Sequence, residues 1–470
     1  MESTNSELEP SVNNNNKLLE ERSQPQLDSK VEKENGSSPS VIKRWTIVLA
    51  CCWINISVFA MFKSSGVLYL AILQTFEGST SAEASWQITL INSISAIASL
   101  PAGFLTHYLE IRSIVSAGAI ITSTAITACY FASSIFTLNL LLGFAQGTGL
   151  GLVFGQLPAI ITQYFDSESR AAAVGVSFAG STIGSIFSPL IFDRLLDSFQ
   201  LHESCLIMGL IAFTSLIGAV LLTPHPSSRT KVQATKVGRV KAETCSYPTF
   251  VARMKEDVQV MIDPHFGLIC LSYSFHYLSS ITIMMALPDF AIKCGLTHKE
   301  SILLLSFISI GNLLGRLSPL LTKLIGSGKL SDKTTFIIST VALPLVYILF
   351  PLLASSSLTS IVPILIQFII LTILIGYLGS FQLVLAPVLL AEYLGSSKTA
   401  ITFGLINFVS GLISFLRPFI ISLVSGNKTN YDVIFYTFAA FPLVSACFWI
   451  AEVICTKFVK SSNLQSPEMT

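Results

Sequence analysis

Twelve stretches of the sequence are apolar over about the 20 residues that an α-helix needs to cross the hydrocarbon core of a bilayer. They lie at 45–71, 86–106, 112–132, 137–160, 172–192, 204–223, 266–292, 302–325, 335–354, 359–385, 399–424 and 432–456. Only 12% of the 470 residues are charged and 51% are hydrophobic, whereas about 25% of residues are charged in soluble domains. The sequence therefore predicts an all-α integral membrane protein with twelve transmembrane helices.

Polar segments divide the chain into five parts. A polar, mostly acidic tail (1–44) is predicted to be disordered, since it lacks the apolar residues to fold. Two sets of six spans (45–223 and 265–456) flank a central loop (224–264), and a short tail (457–470) follows. The central loop carries seven Lys and Arg residues, which the positive-inside rule assigns to the cytosol. Because each set has an even number of spans, both termini are predicted to be cytosolic as well. The membrane is predicted to be the plasma membrane.

An internal repeat relates the two sets of spans. Five residues of the first set recur 229 positions later in the second: Pro158, Tyr164, Gly175, Ser181 and Pro189 match Pro387, Tyr393, Gly404, Ser410 and Pro418. The repeat predicts two pseudo-symmetric six-helix bundles that run in the same direction. Parallel halves of this kind resemble the major facilitator arrangement, in which the substrate site lies between the halves and one half rocks on the other.

Several classes of function are not indicated. The net charge of +1 gives no sign of a nucleic-acid partner. The nine cysteines are scattered, without the spacing of a metal site, and no nucleophile–base pair occurs in the spans. We therefore expect no enzyme activity, no cofactor and no metal.

The stretch "SIGNLLGRLSP" (309–319) places Arg316 deep in apolar sequence. A guanidinium cannot shed its charge, and burying one in hydrocarbon costs at least ~3 kcal/mol. Ser309, Asn312 and Arg316 lie on one helical face, which favours a polar surface inside the protein. Because a carboxylate fits the arginine fork through two hydrogen bonds, we expect Arg316 and Asn312 to bind an anionic substrate, with a structural ion pair as the alternative.

Three more ionisable residues lie within spans. Lys63, in the outer half of the first span, is predicted to contribute to the substrate site. Arg417, two turns from the outer end of its span, is predicted to reach the membrane interface, with a secondary charge in the site as the alternative. His276 has either a packing role or a role in proton transfer or gating.

Two further motifs have local interpretations. The glycines of "GFAQGTGLGLVFG" (143–155) follow no strand, so they do not form a nucleotide loop, and their spacing predicts close helix packing. "NKT" at 427–429 is a glycosylation sequon whose acceptor is Asn427.

Four motifs resemble the monocarboxylate transporter family, solute carrier family 16, within the major facilitator superfamily. They are "GTGLGLVFGQLPAIITQYF" followed by Arg170, "FKSSGVLYLAILQTF" with "SW" at 85–86, "GNLLGRL" at 311–317 and "EYLG…FGL" at 392–405. The resemblance implies that Lys63 matches the family's lysine of helix 1 and Arg316 its substrate-binding arginine. Arg170 matches the basic residue that precedes helix 5 and is a second candidate charge.

The sequence departs from the family pattern in three places. The Asp-Gly-Gly-x-Gly-Trp motif before helix 1 is replaced by "VIKRWTIV" (41–48), and "GFLTHYLEIR" (103–112) lacks the acidic residue of the general major facilitator loop. Asn312 stands where proton-coupled members carry aspartate. Because asparagine cannot titrate, proton symport is not implied.

The sequence thus predicts a secondary transporter of a small carboxylate-bearing solute that works in the lipid bilayer by alternating access. Two alternatives remain: a proton-independent facilitator of a larger or zwitterionic carboxylated metabolite, and a non-transporting sensor or scaffold on the same fold. Whether protons and a single-span accessory glycoprotein are partners is left open.

Overall fold

A computed structural model describes residues 40–76, 81–223, 259–325, 330–354, 363–425 and 431–464. The first 39 residues, most of the central loop and the Asn427 sequon lie outside these residues. Residues from Trp45 onward form one compact unit, and the contacts described below lie within it.

The described residues contain twelve helices long and apolar enough to cross a membrane, as predicted. The first six are α1 (Val41–Lys63 and Ser65–Thr75), α2 (Ser81–Leu105), α3 (Ile111–Ala128), α4 (Ile135–Tyr164), α5 (Ser167–Ser198) and α6 (Leu201–Leu221). The second six are α7 (Pro264–Lys293), α8 (His298–Ile325), α9 (Asp332–Ala354), α10 (Ile364–Tyr393), α11 (Thr399–Ser414 and Arg417–Ser425) and α12 (Tyr431–Leu464). Helix α1 begins four residues before its predicted start, and α12 continues eight residues beyond its predicted end.

The hydrophobic core is shared on one side of the protein and divided on the other. We call the side where α1 begins and α12 ends the terminal side, and the opposite side the loop side. One cluster joins both bundles and includes Tyr164 and Phe266. Two separate clusters lie toward the loop side, one around Phe192 in the first bundle and one around Phe290 in the second. The two bundles are therefore joined through the terminal half and have separate cores in the loop half.

Repeat-related glycines bring the two bundles together. Gly175 of α5 lies against the backbone carbonyl of Arg316 in α8, and Gly404 of α11 lies against the carbonyl of Ser99 in α2. The Ser99 hydroxyl also donates a hydrogen bond to the Gly404 carbonyl, at 3.0 Å. Glycine lets helix backbones approach this closely because it has no Cβ. The predicted pseudo-symmetry is thus present in the contacts between the bundles.

The glycine-rich stretch of α4 packs as predicted. Gly143, Gly147 and Gly151, which are four residues apart, contact α2, whereas Gly149 contacts α3 through Gly118. A side chain at these positions would meet a neighbouring helix, so the glycines set the spacing inside the first bundle.

Four of the spans contain a short break in the helix, at Ser64 in α1, Gly155 in α4, Thr214 in α6 and 415–416 in α11. At the first, the Ser64 and Ser65 hydroxyls donate to the carbonyls of Ala60 and Phe62 at 3.0 and 2.6 Å. Broken transmembrane helices persist where side chains or a protein interior satisfy the freed backbone groups. The breaks in α1 and α11 each adjoin a cationic residue, Lys63 or Arg417.

The glycine contact between the bundles can be tested by adding a methyl group. We expect Gly175→Ala to lower the thermal stability of the purified protein, since the new Cβ would meet the Arg316 backbone and overpacking costs about 1–3 kcal/mol. Gly267→Ala is the control, because Gly267 is helical, exposed and has nothing near its Cβ position. It should leave the melting temperature unchanged or raise it, since alanine is the better helix former. Equal melting temperatures for both variants would contradict the close contact.

Candidate functional site

Arg316 spans the interface between the two bundles. Its side chain extends from α8 to α5, where Nη1 donates to the Phe178 carbonyl at 2.6 Å and to the Ser181 hydroxyl at 2.8 Å. The residue is only 9% exposed, and its Nε is buried with no hydrogen-bond partner among the described residues. The buried arginine therefore meets neutral oxygen atoms of the opposite bundle and keeps a free donor.

Lys63 supplies a second cation from the first bundle. It is the last residue before the break in α1, and its ammonium lies 5.4 Å from the centre of the Phe62 ring. It is close enough to Arg316 for the two positive charges to repel each other. That these two residues bind substrate in one site stays a prediction.

Asn312 lies one turn before Arg316 on α8 and is half-buried. Its backbone faces Gly376 of α10, and its side-chain amide forms no hydrogen bond within the described residues. Ser309 bonds to the Leu305 carbonyl of its own helix at 3.3 Å. The two residues therefore leave an uncharged polar surface beside the arginine.

His276 lies inside the second bundle rather than beside the two cations. Its ring packs against Gly379 of α10 and lies within hydrogen-bond distance, 3.1 Å at Nδ1, of the Ser280 hydroxyl. Ser280 in turn lies 3.0 Å from the Tyr347 hydroxyl. These contacts with neutral groups fit the packing interpretation of His276.

Arg417 is the first residue of the second segment of α11 and is half-buried. Its Nε is buried without a hydrogen-bond partner among the described residues. Whether its side chain reaches the membrane interface or adds a secondary charge to the site stays a prediction.

Arg170 lies away from Arg316, at the terminal end of α5. Eleven residues separate it from Ser181, which is about 16 Å along a helix. Its Nε donates to the Phe165 carbonyl at 3.3 Å, and its nearby carboxylates include Glu392 and Asp332 of the second bundle. Its neighbour Ser169 accepts a hydrogen bond from Lys323 of α8. Arg170 therefore belongs to a polar contact between the bundle ends.

Aromatic rings from both bundles pack around the site. Phe154 contacts Phe59 and Phe178 within the first bundle and stacks on Phe403 of the second, with ring centres 5.9 Å apart. Phe403 also contacts Tyr273 of α7. Because the Phe178 carbonyl accepts a hydrogen bond from Arg316, this group of rings lies beside the arginine.

Sequence reasoning missed the acceptors of Arg316. Ser181 was part of the internal repeat, but nothing in its local sequence distinguishes it from other helical serines. The Phe178 carbonyl leaves no trace in the sequence, because a backbone group is present at every position. Sequence reasoning also did not single out the hydroxyls of Tyr273 and Tyr277, because both residues lie in an apolar helix.

The site has the chemistry of an anion-binding site. Lys63, Arg316 and Arg417 form no ion pair with an acidic side chain within the described part of the chain, where the ion pairs include Lys293–Asp432 and Lys333–Glu452. No group of three or more His, Cys, Asp or Glu side chains suited to a metal occurs among the described residues. Unpaired guanidinium donors in a low-dielectric interior favour a carboxylate or similar anion.

Comparisons with known proteins agree with this architecture. The sequence model of the Major Facilitator Superfamily matches residues 50–366. The crystal structure of FucP, a Major Facilitator Superfamily transporter in the outward conformation, is similar over 86% of this chain and 98% of its own, with a TM-score of 0.60 and 16% identity. The predicted twelve-helix fold is confirmed.

Curated relatives include several monocarboxylate transporters. Monocarboxylate transporter 12 of Homo sapiens is 20% identical over 83% of this chain and 77% of its own length. Monocarboxylate transporter 13 of Rattus norvegicus is 28% identical over 38% of this chain and 42% of its own. Monocarboxylate transporter 9 of Gallus gallus is 27% identical over 39% and 36%. The predicted resemblance to this family is confirmed.

The hydrogen bond between Arg316 and Ser181 generates a prediction. We expect Ser181→Ala to lower transport about tenfold, because a hydrogen bond to a charged group contributes about 1.5–3 kcal/mol. Ser181→Thr keeps the hydroxyl and should retain most activity. Ser185→Ala is the matched control, since Ser185 lies one turn along α5 and bonds only to the Thr182 carbonyl of its own helix. Initial transport rates at equal membrane levels are the measurement, and wild-type rates in Ser181→Ala would contradict a role for this contact.

Proposed function

Because this chain belongs to the Major Facilitator Superfamily, we propose that it is a secondary transporter that moves a small carboxylate-bearing solute across the plasma membrane by alternating access. Its family and its monocarboxylate transporter relatives support a multi-pass membrane transporter. The carboxylate substrate is our proposal. The observation that carries it is the buried Arg316 guanidinium, which has a free donor and no carboxylate partner within the described residues.

The contacts between the bundles support the proposal of alternating access. The glycine contacts and the shared hydrophobic cluster join the terminal halves, while the cores of the loop halves are separate. A substrate would thus reach Arg316 from the loop side. To release it on the other side, the hydrogen bonds of Arg316 to Phe178 and Ser181 must break. We propose that hydrogen bonds from the guanidinium to the bound carboxylate replace the ones that are lost.

The terminal side is proposed to face the cytosol. This assignment rests on the seven Lys and Arg residues of the central loop, which positive-inside logic keeps in the cytosol. In this orientation the loop side, and with it the route to Arg316, faces the outside of the cell. The conformation described would then be the one that takes up substrate from outside.

The two other proposals from the sequence differ in support. For a non-transporting sensor or scaffold, the contacts of the described residues offer no specific support. A proton-independent facilitator is compatible with the site, because Asn312 cannot titrate and His276 is bonded to neutral groups inside the second bundle.

The charge of Arg316 is tested by uptake of labelled carboxylates in transporter-deficient cells. We expect Arg316→Gln to abolish uptake at equal surface level. Arg316→Lys should lose at least about tenfold, because an ammonium cannot make the planar two-point contact of a guanidinium. Lys299→Gln is the control, since it removes an exposed cation from the same helix. Normal uptake by Arg316→Gln would exclude Arg316 as the carboxylate-binding group.

Energy coupling gives a separate prediction. We expect uptake to depend only weakly on an inward proton gradient, because Asn312 cannot titrate and the His276 ring lies in a network with the Ser280 and Tyr347 hydroxyls. Initial uptake is compared at an external pH of about 5.5 and at neutral pH, with and without a protonophore. Strong stimulation by acid that the protonophore collapses would contradict the prediction. If that stimulation were lost in His276→Ala, His276 would be the proton carrier.

A further inference from the structure

A buried amide of α1 contacts the turn of α5 that accepts the hydrogen bonds of Arg316. Asn55 is fully buried, and its Nδ2 donates to the Ser177 carbonyl at 3.0 Å and to the Ser177 hydroxyl at 3.1 Å. Ser177 directly precedes Phe178, whose carbonyl accepts from Arg316. Ser181, the other acceptor of Arg316, lies one turn further along α5. The amide of α1 thus meets α5 next to both acceptors.

Helix α5 lies between α1 and α8 at this level. Toward α1, a Cβ at Gly180 would meet the backbone carbonyl of Cys52, so these two helices approach closely. Toward α8, a Cβ at Gly175 would meet the backbone carbonyl of Arg316. Asn55 lies about one turn after Cys52 on α1, and it adds a polar contact to this close approach. The bundle interface at Arg316 therefore depends on where α1 holds α5.

The internal repeat shows what is particular to this contact. Ser410 of α11 is the repeat counterpart of Ser181, and its hydroxyl lies 2.9 Å from that of Ser274 in α7, within its own bundle. In the first bundle the polar contact from α1 is made one turn earlier on α5, at Ser177. The Ser181 hydroxyl accepts from Arg316 of the opposite bundle. The contact with α1 therefore leaves Ser181 available to the arginine.

Half of the Asn55 amide is left without a partner. Its Oδ1 is buried and forms no hydrogen bond among the described residues. A buried acceptor without a donor lowers the stability of a folded protein, and an apolar side chain of similar size, such as leucine, would avoid this cost. Stability alone therefore does not explain an asparagine here, whereas the two bonds of Nδ2 to Ser177 fix how α5 lies against α1.

We propose that Asn55 is a positioning residue for the substrate site. It fixes the turn of α5 whose Phe178 carbonyl and Ser181 hydroxyl hold the Arg316 guanidinium. Because Asn55 is fully buried, it acts through α5 and not on the substrate itself. Lys63 lies about two turns further along α1, so the same contact links the helix of one cation to the acceptors of the other. This inference rests on the proposed function, since it takes Arg316 as the group that binds the carboxylate.

The first test needs no substrate and measures closure of the terminal side. Lys323 of α8 donates to Ser169 of α5, so cysteines in the variant Ser169→Cys, Lys323→Cys can be joined by a short bismaleimide while the terminal halves are together. Cleavage at a protease site placed in the central loop reveals the cross-link, because residues 169 and 323 lie on opposite sides of that loop. The protein without the introduced pair gives the background from native cysteines. We expect Asn55→Leu to lower the cross-linking rate at least about threefold, since it weakens a hydrogen bond to a charged group.

A double-mutant cycle separates positioning from a general loss of packing. Ser181→Ala should lower the cross-linking rate by itself. Adding Asn55→Leu should then lower it by less than about twofold, because both changes act on the same bond of Arg316. Asn139→Leu is the matched control, since Asn139 also bonds to a backbone carbonyl of a neighbouring helix in the first bundle, that of Glu83 at 2.9 Å. It should leave the rate unchanged.

Uptake of labelled butyrate supplies a readout that a purely structural role would not change. In Asn55→Leu fewer carriers are in the conformation that binds substrate from the loop side, so KM should rise at least about threefold while the maximal rate changes less than about twofold. A protein that merely loses stability would show a lower maximal rate at an unchanged KM. Ser177→Ala removes the hydroxyl acceptor and keeps the carbonyl, so it should raise KM by a smaller factor. It replaces Asn55→Leu if that variant does not fold.

The outcomes separate this inference from the proposed function. Equal cross-linking rates with and without Asn55→Leu would overturn the inference, as would fully additive effects of Asn55→Leu and Ser181→Ala. An equal loss of cross-linking in Asn139→Leu, or a lower maximal rate at an unchanged KM, would also overturn it. Non-additive cross-linking together with no wild-type uptake of any labelled carboxylate would overturn the proposed function and leave the positioning of Arg316 by Asn55 supported.

Discussion

A positive charge that cannot be neutralised by deprotonation lies where the two bundles of this transporter meet. Hydrogen bonds to Phe178 and Ser181 of the opposite bundle offset part of the free-energy cost of burying Arg316. These bonds exist only while α5 and α8 are in contact, and Gly175 makes that contact close enough. The stability of this conformation and the readiness of the site for an anion therefore depend on the same side chain. An anion that binds the guanidinium in place of Phe178 and Ser181 removes hydrogen bonds that hold the terminal halves together.

The internal repeat gives two similar helix contacts between the bundles. The two contacts differ in their polar residue, and this difference places the charge of Arg316 at one of them. The α5–α8 and α2–α11 contacts are built alike, with Gly175 in one and Gly404 in the other. In the α2–α11 contact the polar residue is Ser99, whose hydroxyl bonds to a backbone carbonyl. In the α5–α8 contact it is Arg316. The Ser99 hydroxyl is satisfied by its one hydrogen bond. The Arg316 guanidinium keeps an unpaired donor and a positive charge.

Three cations of the spans form no ion pair with a carboxylate among the described residues. Lys63 comes from the first bundle, and Arg316 and Arg417 come from the second. The positive charges of Lys63 and Arg316 repel each other, and a bound anion would relieve that repulsion. This electrostatic balance gives a physical reason for substrate to bind between the bundles rather than within either one.

The sequence by itself determined the membrane fold, because twelve apolar stretches of spanning length have no other stable environment, and the glycine spacing of α4 predicted its packing. It also identified Lys63 and Arg316, since a charge in an apolar run is conspicuous whatever surrounds it. The tertiary structure decided what these charges meet. The acceptors Phe178 and Ser181 depend on how helices far apart in sequence pack, and His276 lies in a network of neutral groups for the same reason. A helix sequence fixes which face a residue occupies, but the partner on that face is set by the packing of the other helices, and a backbone carbonyl that accepts a bond has no signature in the sequence.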